Sequence, residues 1–269
     1  MAAFIEIIAH RGAGQGFVQP DTPPENTLPA FLYAWRPEVN ADAAEADIHL
    51  TWDGEILVIH DATTDRTTNA HWVVAERNAV ELRSLDAGSW KAPRFAGIGL
   101  PTLEEVLDAL PEGKRLFTEI KTGPQILGRL SAVVRASGKK AAQIPLISFN
   151  IDSIRGAKQL LPDHECYLLV SFENGTGDYE EGADGRAVVL PADAVGLDAL
   201  LEIVTRAGLD GMDFSAAHPP DLPARLRERH LKMAVWTVND PDMARRFVAE
   251  GIRSITTDLP KQLQAGLVM

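Results

Sequence analysis

The residues best suited to chemistry lie between Glu45 and Asp61. In an extended strand, side chains two residues apart share a face, so Glu45 and Asp47 project the same way with Cα atoms about 6.6 Å apart. Two carboxylates held that close repel each other unless a cation lies between them. Asp53-Gly54 signals a hairpin, and the apolar run Ile56 to Ile59 leads back toward the carboxylates, ending on His60. The stretch therefore predicts a hard-metal site with a titratable imidazole beside it.

Such a site needs elements to hold it. Ahead of it, Phe4 to Ala9 reads as a strand ending on His10-Arg11-Gly12, followed by a Gly- and Pro-rich loop and a helix that Asn26 or Thr27 can cap. The second strand, Ala43 to Ile48, ends with the carboxylate pair. From 62 to 101 the pattern is interrupted, which predicts a small inserted lobe packed by Trp52, Trp72 and Trp90. Regular alternation resumes with a helix at Thr102 to Leu110, where Thr102 and Glu105 have capping-box spacing. Strands then follow at Arg115 to Ile120, Ile144 to Ser148, Glu165 to Ser171, Leu209 to Phe214, Lys232 to Thr237 and Ser254 to Thr257, separated by helical segments. The acidic, Gly-rich stretch Phe172 to Gly185 reads as a solvated loop or a lid.

Without the hairpin arm this makes eight strands alternating with helices, several of them continuous apolar runs. That is the pattern of a parallel sheet covered by helices. The expected fold is α/β, a (β/α)8 TIM barrel with a small insertion after the second strand, occupying 1–269 as a single domain. An open doubly wound sheet is the rival, but no G-x-G-x-x-G follows the first strand.

Functional side chains of such a barrel gather at the C-terminal strand ends. There stand His10 and Arg11, Glu45 and Asp47, and Glu119 and Lys121, the last pair again at i, i+2 spacing. Ser148, Ser171, Asp213, Trp236 to Asn239, Thr257 and Asp258 complete the rim. Three carboxylates without a cysteine or histidine cluster suit Mg²⁺ or Ca²⁺ better than zinc; the plainer alternative for Glu119 and Lys121 is a strand-end salt bridge. His10 and His60 are either hydrogen-bonded structural residues or an acid/base pair. Arg11 suits bidentate phosphate binding and Lys121 adds a point charge. Together these describe metal-assisted cleavage of a phosphate ester. His49 shares the face of Asp47 but is expected at a solvated hairpin position.

Composition bounds the rest. At 269 residues with 45% hydrophobic and 24% charged residues, the chain can build a sizeable core. A net charge of −12 argues against a nucleic-acid surface or stable association with an anionic membrane. One cysteine, Cys166 in an apolar run, precludes an internal disulfide. The start of the chain has no signal-peptide pattern, so a cytoplasmic location is expected.

His10-Arg11-Gly12, Pro24-Glu25-Asn26-Thr27, Glu45-Ala46-Asp47, Asp53-Gly54, Val58-Ile59-His60-Asp61, Asp65-Arg66-Thr67-Thr68, Glu119-Ile120-Lys121 and Trp236-Thr237-Val238-Asn239, in that order, resemble the glycerophosphodiester phosphodiesterase family. The resemblance implies hydrolysis of a small-molecule glycerophosphodiester to sn-glycerol 3-phosphate and an alcohol. It implies that Glu45, Asp47 and Glu119 hold one divalent cation, that His10 and His60 are acid and base, that Arg11 and Lys121 bind phosphate, and that Trp236 packs on the glycerol or alcohol part. Glu25 and Asn26 would orient Arg11 and cap the helix. The alternatives are a phospholipase D acting on lysophospholipids and a barrel that binds phosphodiesters without turnover. One departure from the family pattern is a longer loop, Ala13 to Pro23, between the first two motifs.

Overall fold

The computed structural model describes residues 4–12, 19–173, 189–191 and 196–267. In chain order the elements are β1 (Glu6–Ala9), α1 (Leu28–Ala34), β2 (Ala43–Leu50), β3 (Ile56–Val58), α2 (Ala79–Arg83), α3 (Leu103–Ala109), β4 (Arg115–Ile120), α4 (Leu127–Ala136), β5 (Leu146–Ser148), α5 (Ile151–Leu160) and β6 (Cys166–Glu173). They continue with β7 (Val189–Pro191), α6 (Leu197–Arg206), β8 (Gly211–Ser215), α7 (Leu222–Glu228), β9 (Lys232–Trp236), α8 (Pro241–Ala249), β10 (Ser254–Thr257) and α9 (Pro260–Leu267).

Eight parallel strands run in the order β1, β10, β9, β8, β6, β5, β4, β2, and pairing of Ile8 with Ala43 and Ala9 with Ala44 closes the ring. The expected (β/α)8 barrel is the fold. β3 is the predicted hairpin arm, antiparallel to β2 with Ile48 opposite Val58; Gly54, at φ +82°, makes its turn. β7 pairs outside the ring with β6. The longer acidic stretch lies outside the described residues from 174 to 188, and so does 13–18 of the first loop.

Alternation along each strand sorts side chains to two faces. Ala44, Ala46, Ile48, Leu116, Ile120, Leu168, Val170, Met212 and Phe214 join the apolar layer between strands and helices. Their neighbours therefore point into the barrel, where Ile8, Ala43, Phe117, Ile147, Tyr167 and Leu169 form an inner apolar cluster. At the N-terminal end that cluster rests on ions: Arg115 donates to both oxygens of Glu6 at 2.7 and 2.9 Å and to Glu165 at 2.5 Å, and Lys232 also pairs with Glu165.

Between β3 and α3 the chain packs around Leu57, Ile59, Val74, Leu82, Leu85, Ala87 and Leu100. Trp72 leans on this group, and Trp90 donates Nε1–H to the Ala87 carbonyl at 2.9 Å. Trp52 does not pack as expected; it is 75% exposed, because it sits at the hairpin tip beyond the reach of that core. Lys91 and Arg94 reach from this segment to the first loop, donating to the carbonyls of Pro23 at 3.2 Å and Pro20 at 2.6 Å. Among the described residues no helix is long and apolar enough to cross a membrane.

Candidate active site

Parallel register brings the carboxylates together. Asp47 on β2 pairs with Glu119 on β4, and Glu45 stands two residues earlier on the same inward face. Each of Glu45, Asp47 and Glu119 offers an oxygen within 4.8 Å of the others, and all three are buried. From β3, Ile59 donates its N–H to the Asp47 carbonyl at 3.0 Å, which delivers His60 to the same rim.

The first motif reaches the cluster through two left-handed residues, Arg11 at φ +51° and Gly12 at φ +82°. A Cβ at Gly12 would meet the backbone of Ala30 and Phe31 at 2.9 Å, so only glycine lets this turn lie on α1. The turn aims the Arg11 N–H at Glu45 Oε2, 3.0 Å away. Across the long loop, the Asn26 N–H returns to the Arg11 carbonyl at 3.0 Å, and Arg11 Nη1 donates to Glu25 at 2.7 Å. The longer connection therefore leaves both motifs docked. Asn26, expected as a cap, instead donates its amide to Asp47 Oδ2 at 2.7 Å and accepts the Asp47 N–H at 3.2 Å. Its φ of +54° turns the side chain away from the helix and toward β2. Thr27 occupies the N-cap position, but its hydroxyl donates to the Pro24 carbonyl.

Both histidines are anchored through Nδ1. His10 Nδ1 lies 2.8 Å from Asp258, and His60 Nδ1 lies 2.6 Å from Asp61. A carboxylate at Nδ1 selects the tautomer with its proton there, so that Nε2 carries the lone pair. His60 Nε2 is 3.2 Å from Lys121 Nζ, and that ammonium is also 3.0 Å from Glu119 and 3.7 Å from Asp47. The anticipated salt bridge is thus present within the cluster. Arg66 donates to Asp61 at 2.7 Å and to Glu25 at 2.9 Å, linking the support of His60 to that of Arg11.

Electrostatics divide the carboxylates. Burial, then the nearby Asp47 and Glu119, push the Glu45 carboxyl well above the usual range. Burial raises Glu119 too, against the pull of Lys121. Burial acts the same way on Asp47, but His60, Lys121 and Arg11 outweigh it and hold its carboxyl below the ordinary value. Glu45 Oε1 has no hydrogen-bond partner among the described residues although it is buried. An all-oxygen cluster with a bare buried acceptor, and more negative charge than Lys121 and a Glu25-committed Arg11 can balance, fits a hard divalent cation.

Of the residues singled out in the sequence, Arg11, Glu45, Asp47, His60, Glu119 and Lys121 form this one cluster, and His10, the residue before Arg11 at the end of β1, is held beside Asp258. Trp236 stands apart at the end of β9, edge-to-face with Phe149 at 5.8 Å. His49, expected in solvent, is buried; it contacts the His60 carbonyl through Nε2 at 3.0 Å, and burial lowers its pKa to about 4. The supports Asp61, Asp258 and Arg66 had been given no role. Asp258 was discoverable as the carboxylate ending the strand next to that of His10, but only ring closure makes β10 that neighbour. Asn239 steadies it by donating to Oδ2 at 2.8 Å.

The profile of the glycerophosphoryl diester phosphodiesterase family matches residues 10–262. A glycerophosphodiester phosphodiesterase of Caldanaerobacter subterraneus subsp. tengcongensis is 31% identical over 268 residues, covering 96% of this chain and 95% of that one. Another, from Bacillus subtilis, is 29% identical and covers 94% of this chain and 83% of its own length. In fold the chain is similar to an Oleispira antarctica phosphodiesterase solved in complex with the product sn-glycerol-3-phosphate, with a TM-score of 0.82, 22% identity and coverage of 99% and 98%. With its motifs matched from His10 onward and its barrel shared, this chain belongs to the glycerophosphoryl diester phosphodiesterase family, enzymes that hydrolyse glycerophosphodiesters.

Proposed function

We propose that the protein hydrolyses glycerophosphodiesters, the water-soluble products of phospholipid deacylation, to sn-glycerol 3-phosphate and a free alcohol, with His10 and His60 as the acid/base pair. One divalent cation, Mg²⁺ or Ca²⁺, would be held by Glu45, Asp47 and Glu119. When bound, it supplies charge stabilisation at the phosphoryl oxygens. The observation that carries the reading is the pairing of that carboxylate cluster with two histidines, each fixed through Nδ1 by its own carboxylate. The single domain 1–269, with 62–101 as an inserted lobe, belongs to the same proposal, as does a cytoplasmic location.

In the proposed route one histidine Nε2 takes the proton of the substrate's glycerol 2-hydroxyl as that oxygen bonds to phosphorus. The phosphorus–oxygen bond to the alcohol breaks, and the other histidine donates a proton to the departing alkoxide. Water then opens the five-membered cyclic phosphate, with the histidines exchanging roles. Lys121, poised between His60 and the carboxylates, meets the phosphate as a point charge, Arg11 adds a buried guanidinium, and Trp236 supplies an apolar wall to the glycerol or alcohol part.

The test is release of glycerol 3-phosphate from glycerophosphocholine and glycerophosphoethanolamine by metal-stripped protein, with EDTA, Mg²⁺ or Ca²⁺ added. Release restored by either ion is the expected result. No release with any ion would overturn the reading.

A further inference from the structure

Asp213 has no task in the reaction above. It lies in mid-β8 between Met212 and Phe214, both packed outward against the helices, so its carboxyl points into the barrel. It is 2% exposed, and its Oδ1 is buried with no hydrogen-bond partner among the described residues. Between β8 and β2 stand β4, β5 and β6 on one side of the ring and β1, β10 and β9 on the other. Asp213 therefore occupies the wall opposite Glu45 and Asp47. On the adjacent strand β9, Trp236 Nε1 is also buried with no hydrogen-bond partner among the described residues. Buried polar atoms rarely go unmatched, and an acceptor and a donor left open on neighbouring strands are what one alcohol hydroxyl satisfies.

Resting on the phosphodiesterase reading, we propose that Asp213, aided by Trp236 Nε1, is a specificity-determining residue that binds the terminal C1 hydroxyl of the substrate's glycerol. The 2-hydroxyl is engaged on the opposite wall, beside the histidines and carboxylates, which leaves the C1 hydroxyl for this side. The substrate class is then the diester with both glycerol hydroxyls free. A lysophospholipid acylated at C1 has no hydroxyl there to donate and would leave the Asp213 carboxyl bare.

The experiment compares kcat/KM for glycerophosphocholine and for 2-hydroxypropyl phosphocholine (propane-1,2-diol 1-phosphocholine), which lacks only the terminal hydroxyl of the glycerol, in wild-type protein, Asp213→Leu and Asp213→Asn with saturating Mg²⁺ or Ca²⁺. A site that hydrogen-bonds a hydroxyl rejects the analogue lacking it, so the wild type is expected to prefer glycerophosphocholine by at least about tenfold. Asp213→Leu should bring the two within about threefold, mainly through KM, and Asp213→Asn, which keeps shape and an acceptor, should retain an intermediate preference. A purely structural role would lower both substrates together and leave the ratio unchanged, which overturns the proposal; so does a wild type without preference. If Asp213→Leu does not fold, the ratio measured with the near-isosteric Asp213→Asn decides, unchanged selectivity overturning the proposal. Failure of the wild type on both diesters would sink the phosphodiesterase reading itself, and is told apart by the absence of any turnover.

Discussion

The two ends of the barrel are built from similar charged residues to opposite effect. At the N-terminal end Glu6 and Glu165 face Arg115 and Lys232, two charges against two, and Tyr167 and Ser254 each add a second donor, to Glu165 Oε2 and Glu6 Oε2, at 2.7 Å. None of these six residues has a buried side-chain nitrogen or oxygen without a hydrogen-bond partner. At the C-terminal end Glu45, Asp47 and Glu119 share Lys121 and an Arg11 already committed to Glu25. Toward that end Glu45 Oε1, Asp213 Oδ1 and Trp236 Nε1 are buried with no hydrogen-bond partner among the described residues, and Arg11 Nε has only the Asp47 carboxylate, 3.6 Å away. A closed ion network plugs a barrel and stabilises it; an open one costs stability and retains affinity for something yet to arrive.

That contrast breaks first if the rim histidines are not the acid and base. His10→Ala or His60→Ala should lower kcat by a factor on the order of 10²–10⁴ while leaving metal binding intact, because neither is among the carboxylates assigned to the ion. Near-normal turnover by both variants would remove the assignment. Isothermal titration of the stripped proteins with Mg²⁺ or Ca²⁺ checks the second half of the expectation.

At the other end, Arg115→Leu leaves Glu6 without its cation and Glu165 with Lys232 alone, and should cost about 3 kcal/mol of unfolding free energy in urea titrations, with kcat of the folded enzyme little changed. A large kcat loss at unchanged stability would show that the ends are not independent. Asn26→Ala, which takes two hydrogen bonds from Asp47, should weaken apparent metal affinity by about 10- to 100-fold, as loss of a ligand's support does.

The smallest effect is in the pH dependence, where the two ends should carry opposite signs. Burial works against the Glu165 charge, but Lys232, Tyr167 and Arg115 prevail and lower its pKa. Its contribution is therefore complete above the ordinary glutamate value of about 4.3 and is lost as pH falls through the depressed one. Glu45 is raised, so in metal-free protein its own contribution to stability is fully present below about 4.3 and is lost as pH rises through the folded value. The gap in unfolding free energy between metal-loaded and EDTA-treated protein should widen with rising pH. A gap independent of pH would detach Glu45 from the ion.

Much of this arrangement was legible in the residues themselves. Arg115–Ile120 and Ser254–Thr257 are strands with the bounds expected of them, because each is a short run between unambiguous breaks. The spacing of Glu45 with Asp47 and of Glu119 with Lys121 announced inward-facing pairs, since a strand's period of two is a local property. Asn26 was misread because a polar residue ahead of a helix looks like a cap whatever lies beside it in space. His49 was misplaced for a similar reason: a hairpin position is solvated only when nothing packs over it, and here the chain at His60 does.

What the sequence determined by itself is therefore local and periodic: eight alternations of strand and helix, the face on which each carboxylate falls, and the ordered motifs that mark the family. Tertiary structure alone decided the partnerships. Closing the ring set β10 beside β1 and gave Asp258 to His10; docking two left-handed turns gave Glu25 to Arg11 and Asn26 to Asp47; and register set Glu119 beside Asp47. Asp213 shows the difference most plainly, since its inward direction follows from alternation, but its lack of a partner is a property of every wall around it. Hydrogen bonds and charges at the rim act over a few ångströms between residues as many as 248 positions apart, and only the folded chain brings them within that range.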